Sequence, residues 1–198
     1  MRLSLAKIIS FVLNPLIVIV FLPFFLVYKT THDAGGAMHW TMYTMFFLLA
    51  IAGIVYYAVR KGIFTDMDVS KREQRPLLFA MSMLFAVMYL TSLVLLQAPY
   101  LMIIVTCGIL VGIGAVSLIN KKIKASIHVA TMTALALTVA IGYGGYFYIL
   151  LLLIPLLIWA RVKTKRHTMT EALTGAIVGA LLSLSVYSAY LAVKEAML

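Results

Sequence analysis

Residues 99–119 read PYLMIIVTCGILVGIGAVSLI, twenty-one positions without a charged side chain. The hydrocarbon core of a bilayer is about 30 Å thick and takes roughly 20 apolar residues in a helix, so this stretch predicts a transmembrane helix. Six comparable stretches surround it, at about 8–28, 40–59, 77–97, 127–143, 145–160 and 172–193. They dominate a chain of 198 residues that is 64% hydrophobic and 11% charged, where an ordinary soluble domain carries about 25% charged residues. That balance excludes a water-soluble globule, a disordered tail and a nucleic-acid module with a polar basic face. The predicted fold class is an all-α integral membrane protein: a single polytopic membrane domain over residues 1–198, a bundle of about six to seven transmembrane helices with its site at one membrane interface.

The first stretch follows Arg2 and Lys7, as in a signal peptide, but its apolar run exceeds the roughly 7–15 residues of a cleaved signal. It predicts a retained helix, kinked at Pro15 and Pro23. Gln97-Ala98-Pro99 and the IGYGGY stretch at 141–146 predict tight turns, so the longer connections are 60–76, 120–126 and 161–171. Two spans and then a basic loop, three times over, place those loops and the N-terminus on one side. That side holds 14 of the 16 Lys and Arg residues, leaving Lys29 and Lys194 opposite. The positive-inside rule puts the basic loops in the cytoplasm, and the expected location is the cytoplasmic membrane of a prokaryote. Cys107 is the single cysteine, so no internal disulfide is possible, and its place mid-span suggests a small packing residue. Almost nothing ionises within the spans, which argues against an ion pathway built on buried charges.

The polar chemistry lies in the three loops. The first carries Thr65-Asp66-Met67-Asp68-Val69-Ser70-Lys71-Arg72-Glu73-Gln74-Arg75-Pro76. If helical, it puts Asp68, Arg72 and Arg75 on one face, and Pro76 suits the first turn of the next helix. The plainest reading is a salt-bridged interfacial loop. Asp66 and Asp68 could instead ligate Mg²⁺, but the adjoining cations make a poor metal site, so no metal and no cofactor is expected. The second loop ends in Lys124-Ala125-Ser126-Ile127-His128. A hydroxyl, the N–H groups of a helix start and nearby lysines together favour a phosphate oxygen. The third runs from Arg161 to Glu171 and places His167 four residues before the carboxylate. On a helix that carboxylate reaches the imidazole, orients it and raises its basicity, as a nucleophilic histidine requires. An ordinary interfacial His–Glu pair is the alternative.

Taken together, the three clusters resemble the signature motifs of the type 2 phosphatidic acid phosphatase family, membrane lipid-phosphate phosphatases related to vanadium haloperoxidases. The family pattern is Lys-x6-Arg-Pro, then Pro-Ser-Gly-His, then Ser-Arg-x5-His-x3-Asp. Here Arg75-Pro76 ends the first motif, Ser126-Ile127-His128 stands for the second, and Ala160-Arg161, five residues, His167, three residues, Glu171 for the third. The third motif runs into a small-residue span holding Gly175 and Gly179. The resemblance covers a phosphatase-like core at about 60–180, preceded by an N-terminal hairpin at 8–59. It departs at Asp68, where the family has Lys, at Ala125 for Pro, Ile127 for Gly, Ala160 for Ser and Glu171 for Asp.

The resemblance implies a role for each matching residue. Arg75 and Arg161 clamp phosphate oxygens, with Arg72 a substitute for the missing cation, and Ser126 donates its hydroxyl. His167 attacks phosphorus to form a phosphohistidine, Glu171 holds its other nitrogen, and His128 protonates the leaving alkoxide. Asp68 would orient an arginine. The expected activity is metal-independent hydrolysis of a membrane lipid phosphate or pyrophosphate of the polyprenyl phosphate, phosphatidate or phosphatidylglycerophosphate type, with no nucleic-acid partner. Transfer of the phosphoryl group to another lipid fits the same residues. A catalytically altered relative that binds anionic headgroups as a scaffold or transport component fits the departures, since basic clusters beside spans attract anionic lipid without catalysis.

Overall fold

The computed structural model describes residues 2–196. It consists of helices α1 (Arg2–Val12), α2 (Pro15–Thr31), α3 (Ala34–Arg60), α4 (Arg75–Leu95), α5 (Tyr100–Asn120), α6 (Ile127–Tyr143), α7 (Leu153–Lys163) and α8 (Met169–Ala196). Short 3-10 segments at Arg72–Gln74 and Gly145–Leu152 lead into α4 and α7. Among the described residues there is no strand. The spans Ala34–Arg60, Arg72–Leu95, Tyr100–Asn120, Gly145–Lys163 and Met169–Ala196 are long and apolar enough to cross a membrane, and α1 with α2 makes a sixth as a bent pair. Their outer faces are hydrophobic: Phe46, Leu95, Val111, Leu118 and Leu181 are all exposed, as helices surrounded by hydrocarbon require.

The first span differs from the single kinked helix that its sequence predicts. It breaks between Val12 and Pro15, and the two parts meet at 42°. Proline lacks an N–H and drives the preceding residue out of the helical region. Asn14 accordingly adopts φ −67° and ψ 138°, and its Oδ1 accepts from Leu16 N at 3.0 Å, capping α2. The helix continues unbroken through Pro23, so only one of the two prolines interrupts it.

Helix α6, expected as a seventh span, is an apolar helix of only 17 residues, shorter than the spans above; eight of its residues are buried and it lies against α2, α7 and α8. Its closest partner is α8, and glycines set that approach. A Cβ on Gly175 would sit 2.5 Å from the Ser126 carbonyl oxygen, and one on Gly179 would run into the carbonyl of Ala130. The small residues after the third motif thus bring two backbones into contact and fix the second motif against the third: Ser126 N donates to Glu171 O at 3.0 Å. Cys107 faces outward from α5 and does not pack inside the bundle; Gly108 and Gly112 of the same helix take the inward positions against Val186 and Leu182 of α8.

The three basic connections meet at one end of the bundle, as the hairpin pattern predicts. Arg72 Nε donates to the Asn120 carbonyl at 2.6 Å, and its Nη2 bonds the carbonyl of Lys121. Lys124 Nζ donates to Arg166 O at 3.1 Å, and Arg166 Nη1 to Ser70 Oγ at 2.6 Å. The segment 61–71 is an irregular loop, not a helix, so Asp68 and Arg72 share no helical face. Val69, at φ 45°, interrupts it.

Candidate functional site

The third motif presents its histidine differently from an i, i+4 pair within a helix. His167 precedes α8, and the pair forms through a capping box. Glu171 N donates to Thr168 Oγ1 at 3.2 Å, while Thr168 N donates back to Glu171 Oε2 at 3.1 Å. The same Oε2 lies 3.1 Å from His167 Nδ1, which also faces the Lys124 carbonyl at 3.1 Å. Both neighbours are acceptors, which assigns the ring proton to Nδ1 and leaves the Nε2 lone pair available. Burial, followed by the charges of Arg161, Arg75 and Lys124 and by His128, pushes the His167 pKa down to about 3. At neutral pH the ring is therefore uncharged, the state a nucleophile needs.

Two buried guanidiniums stand beside it. Arg75 and Arg161 are 2% and 3% exposed, a burial a charge sustains only when partnered. Arg75 Nη1 donates to Ala125 O (2.9 Å) and Asn120 Oδ1 (3.3 Å), and its Nε to Val69 O (3.3 Å). Arg161 Nη1 donates to Ser10 Oγ (2.7 Å) and Asp68 Oδ2 (2.9 Å), while its buried Nε has no partner among the described residues. Burial alone raises the Asp68 carboxyl, but His128, Arg161 and Arg166 outweigh it and hold the group below the ordinary carboxylate range.

His128, in the first turn of α6, is bracketed from two directions. Its Nε2 lies 3.4 Å from Asn14 Nδ2 and 3.7 Å from Asp68 Oδ1. Because Asn14 Oδ1 is committed to Leu16 N, the amide offers the ring a donor. Asn14 therefore suits a neutral ring that accepts at Nε2, and Asp68 suits an imidazolium that donates there. The ring thus has a partner in either protonation state.

Two cavities meet the cluster. One, of about 410 Å³, runs between the helices with a largely apolar lining that includes Phe47, Tyr89 and Leu182, and Asn14, Asp68, Arg75 and His128 stand at its polar end. The other, about 430 Å³ and open to the surface, is lined by Lys124, Lys165, Arg166, His167, Thr168 and Glu171. The structure thus brings together Asp68, Arg75, His128, Arg161, His167 and Glu171. Arg161, Ser126 and Arg72 line neither cavity; Arg161 joins the cluster through Asp68, whereas the other two are committed elsewhere. Ser126 is fully buried, its Oγ accepting from Val129 N at 3.5 Å as the cap of α6, and Arg72 is committed to the loop carbonyls. The Asp66 carboxylate accepts from Asp68 N (2.9 Å) and Ser70 Oγ (3.0 Å) and lies 3.6 Å from Arg166, and among the described residues no three His, Cys, Asp or Glu side chains group as a metal would need. Sequence reasoning missed Ser10, Asn14 and Asn120. A polar residue directly before Pro15 and another closing an apolar span were the available signals. Comparison with family models, curated proteins and solved structures gives no match.

Proposed function

We propose that the chain is a membrane-embedded phosphatase of the type 2 phosphatidic acid phosphatase kind, hydrolysing a lipid phosphate or pyrophosphate through a phosphohistidine on His167. The observation that carries this reading is the His167 ring itself: neutral, with Nδ1 held by Glu171 and the Lys124 carbonyl, and flanked by two buried arginines. Phosphoryl transfer asks chiefly for positioning and charge stabilisation, which these groups provide. His167 Nε2 attacks phosphorus as the bond to the lipid oxygen breaks, and His128 donates its proton to that oxygen. Water then attacks the phosphohistidine, returning phosphate and the free ring, with His128 taking the water proton. The cavity behind His128 suits the hydrocarbon portion, and its mixed end the headgroup. The charge distribution supports basic loops on the cytoplasmic side. If a second lipid replaces water, the same residues make a phosphotransferase.

A headgroup-binding protein without turnover is the second reading, and the contact between Asp68 and Arg161 favours it, because a carboxylate already holds a phosphate-clamping arginine. The deciding experiment is phosphate release from a panel of lipid phosphates by detergent-purified protein in EDTA. Wild type is expected to release phosphate, and His167→Ala to lower the rate at least about a thousandfold. A folded wild type inactive on every lipid would leave the binding reading. Activity abolished by EDTA would favour a metal-dependent enzyme.

A further inference from the structure

Several observations converge on the loop 61–71. Both arginines of the site spend donors on it: Arg161 Nη1 on the Asp68 carboxylate at 2.9 Å, and Arg75 Nε on the Val69 carbonyl at 3.3 Å. The Asp68 carboxylate touches one arginine and approaches one histidine, Arg161 through Oδ2 and His128 through Oδ1. These are partners that a bound phosphate would seek. The fit is incomplete, because Asp68 engages only Nη1 and the buried Nε of Arg161 goes without a partner. A phosphate has oxygens enough to fork onto Nε and Nη2, the edge of the guanidinium that Asp68, bound at Nη1, does not engage.

Two further features set this loop apart. His128 opens onto the apolar cavity and His167 onto the basic one, whereas attack and leaving-group protonation on one phosphorus require a shared space. Val69, beside Asp68, is fully buried at φ 45°, a conformation unfavourable for L-residues and most unfavourable for a β-branched one. Its neighbours hold it there, and strained backbone of this kind gathers at clamps and switches.

We propose that Asp68 is a built-in occupant of the phosphate position, and that an incoming phosphate displaces it, freeing Arg161 and Arg75 and letting loop 61–71 withdraw. Naming the position a phosphate site rests on the function proposed above, but displacement requires only anion binding and no turnover. The apparent affinity for phosphate is then lowered by the fraction of time the loop is seated. Removing the carboxylate charge raises it.

The test is inorganic phosphate binding to detergent-purified full-length protein, measured by calorimetry and by the phosphate-induced rise in melting temperature. Asp68→Asn is expected to bind phosphate about tenfold tighter than wild type. It should be less stable without phosphate, because Arg161 loses its counter-charge, and should regain more stability than wild type when phosphate is added. Asp68→Glu keeps the charge and should show no tightening. A spin label at Met67→Cys in a Cys107→Ala background reads the loop with Asp68 intact, and saturating phosphate should mobilise it. Tighter binding by Asp68→Asn in a chain that hydrolyses no lipid upholds the displacement and removes the phosphatase reading. Lipid hydrolysis by wild type, with Asp68→Asn binding phosphate no better and losing turnover, overturns the displacement and makes Asp68 a positioning residue for Arg161. A label that stays immobile in saturating phosphate overturns it as well, whether or not Asp68→Asn folds.

Discussion

His167 draws one of its two partners from close at hand, whereas both partners of His128 come from distant parts of the chain. The first is held by a carboxylate four residues away and by a carbonyl of the adjoining loop, inside a capping box that would form wherever α8 starts. The second meets an amide 114 residues earlier in the chain and a carboxylate from another loop, and neither contact exists until α2, α6 and loop 61–71 are in place. One ring is fixed in a single protonation state by two acceptors, while the other stands between a donor and an acceptor. Under the function proposed above, the difference matches a division of labour between a nucleophile, which must stay neutral, and an acid, which must cycle. It also locates where the site is rigid and where it can change.

The largest effect that would sharpen this contrast is in leaving-group dependence. His128→Ala is expected to lower release from an alkyl lipid phosphate by about 10²–10⁴-fold and to lower p-nitrophenyl phosphate hydrolysis far less, because that leaving group needs no proton. His167→Ala should abolish both. Equal losses of His128→Ala activity on the two esters would remove the distinction between the rings. Asn14→Ala comes next, with an expected fall in kcat of about tenfold and little change in KM, and with the pH profile shifted because the ring loses the donor that favours its neutral form. A fall in thermal stability with an unshifted profile would make Asn14 only a helix cap.

The last effect is on stability and concerns acid. The folded His167 pKa of about 3 lies below the ordinary 6.5, so the fold favours the neutral ring. That contribution is fully present above pH 6.5 and is lost as pH falls from there towards 3, at about 1.4 kcal/mol per pH unit. His167→Gln should therefore be less sensitive to acid than wild type in melting experiments over that window. Imidazole NMR should find no titration of His167 near 6.5; a midpoint there would show a ring far more solvated than the structure has it.

The same contrast explains how much could be read from sequence. Apolar run lengths located the helices, because hydrocarbon imposes length directly, and α6 begins and ends at the expected residues. His167 and Glu171 were legible because their pairing is local, although a capping box and not helical periodicity brings them together. The 42° break at Asn14 was partly legible: Pro15 marked a kink, but nothing local showed that the freed amide would face His128. Ser10 reaches Arg161 across 151 residues, and no pattern within an apolar helix announces such a contact. Ser126 looked like a phosphate donor because serine before a helix suits both an anion and a cap; burial under α8 decided for the cap. Asp68, which departs from the motif that the sequence resembles, was legible as a carboxylate but not as the partner of Arg161 and neighbour of His128.

The 151-residue span between Ser10 and Arg161 also bears on how the site comes into being. Contacts so far apart in sequence form late, after the loops between them have closed. The arginine environment therefore cannot exist while the chain is still being threaded into place: an early-inserted α1 and α2 wait for α7 and α8. The site is thereby a report of completed assembly, since this arginine contact exists only once α1 and α7 are both in place.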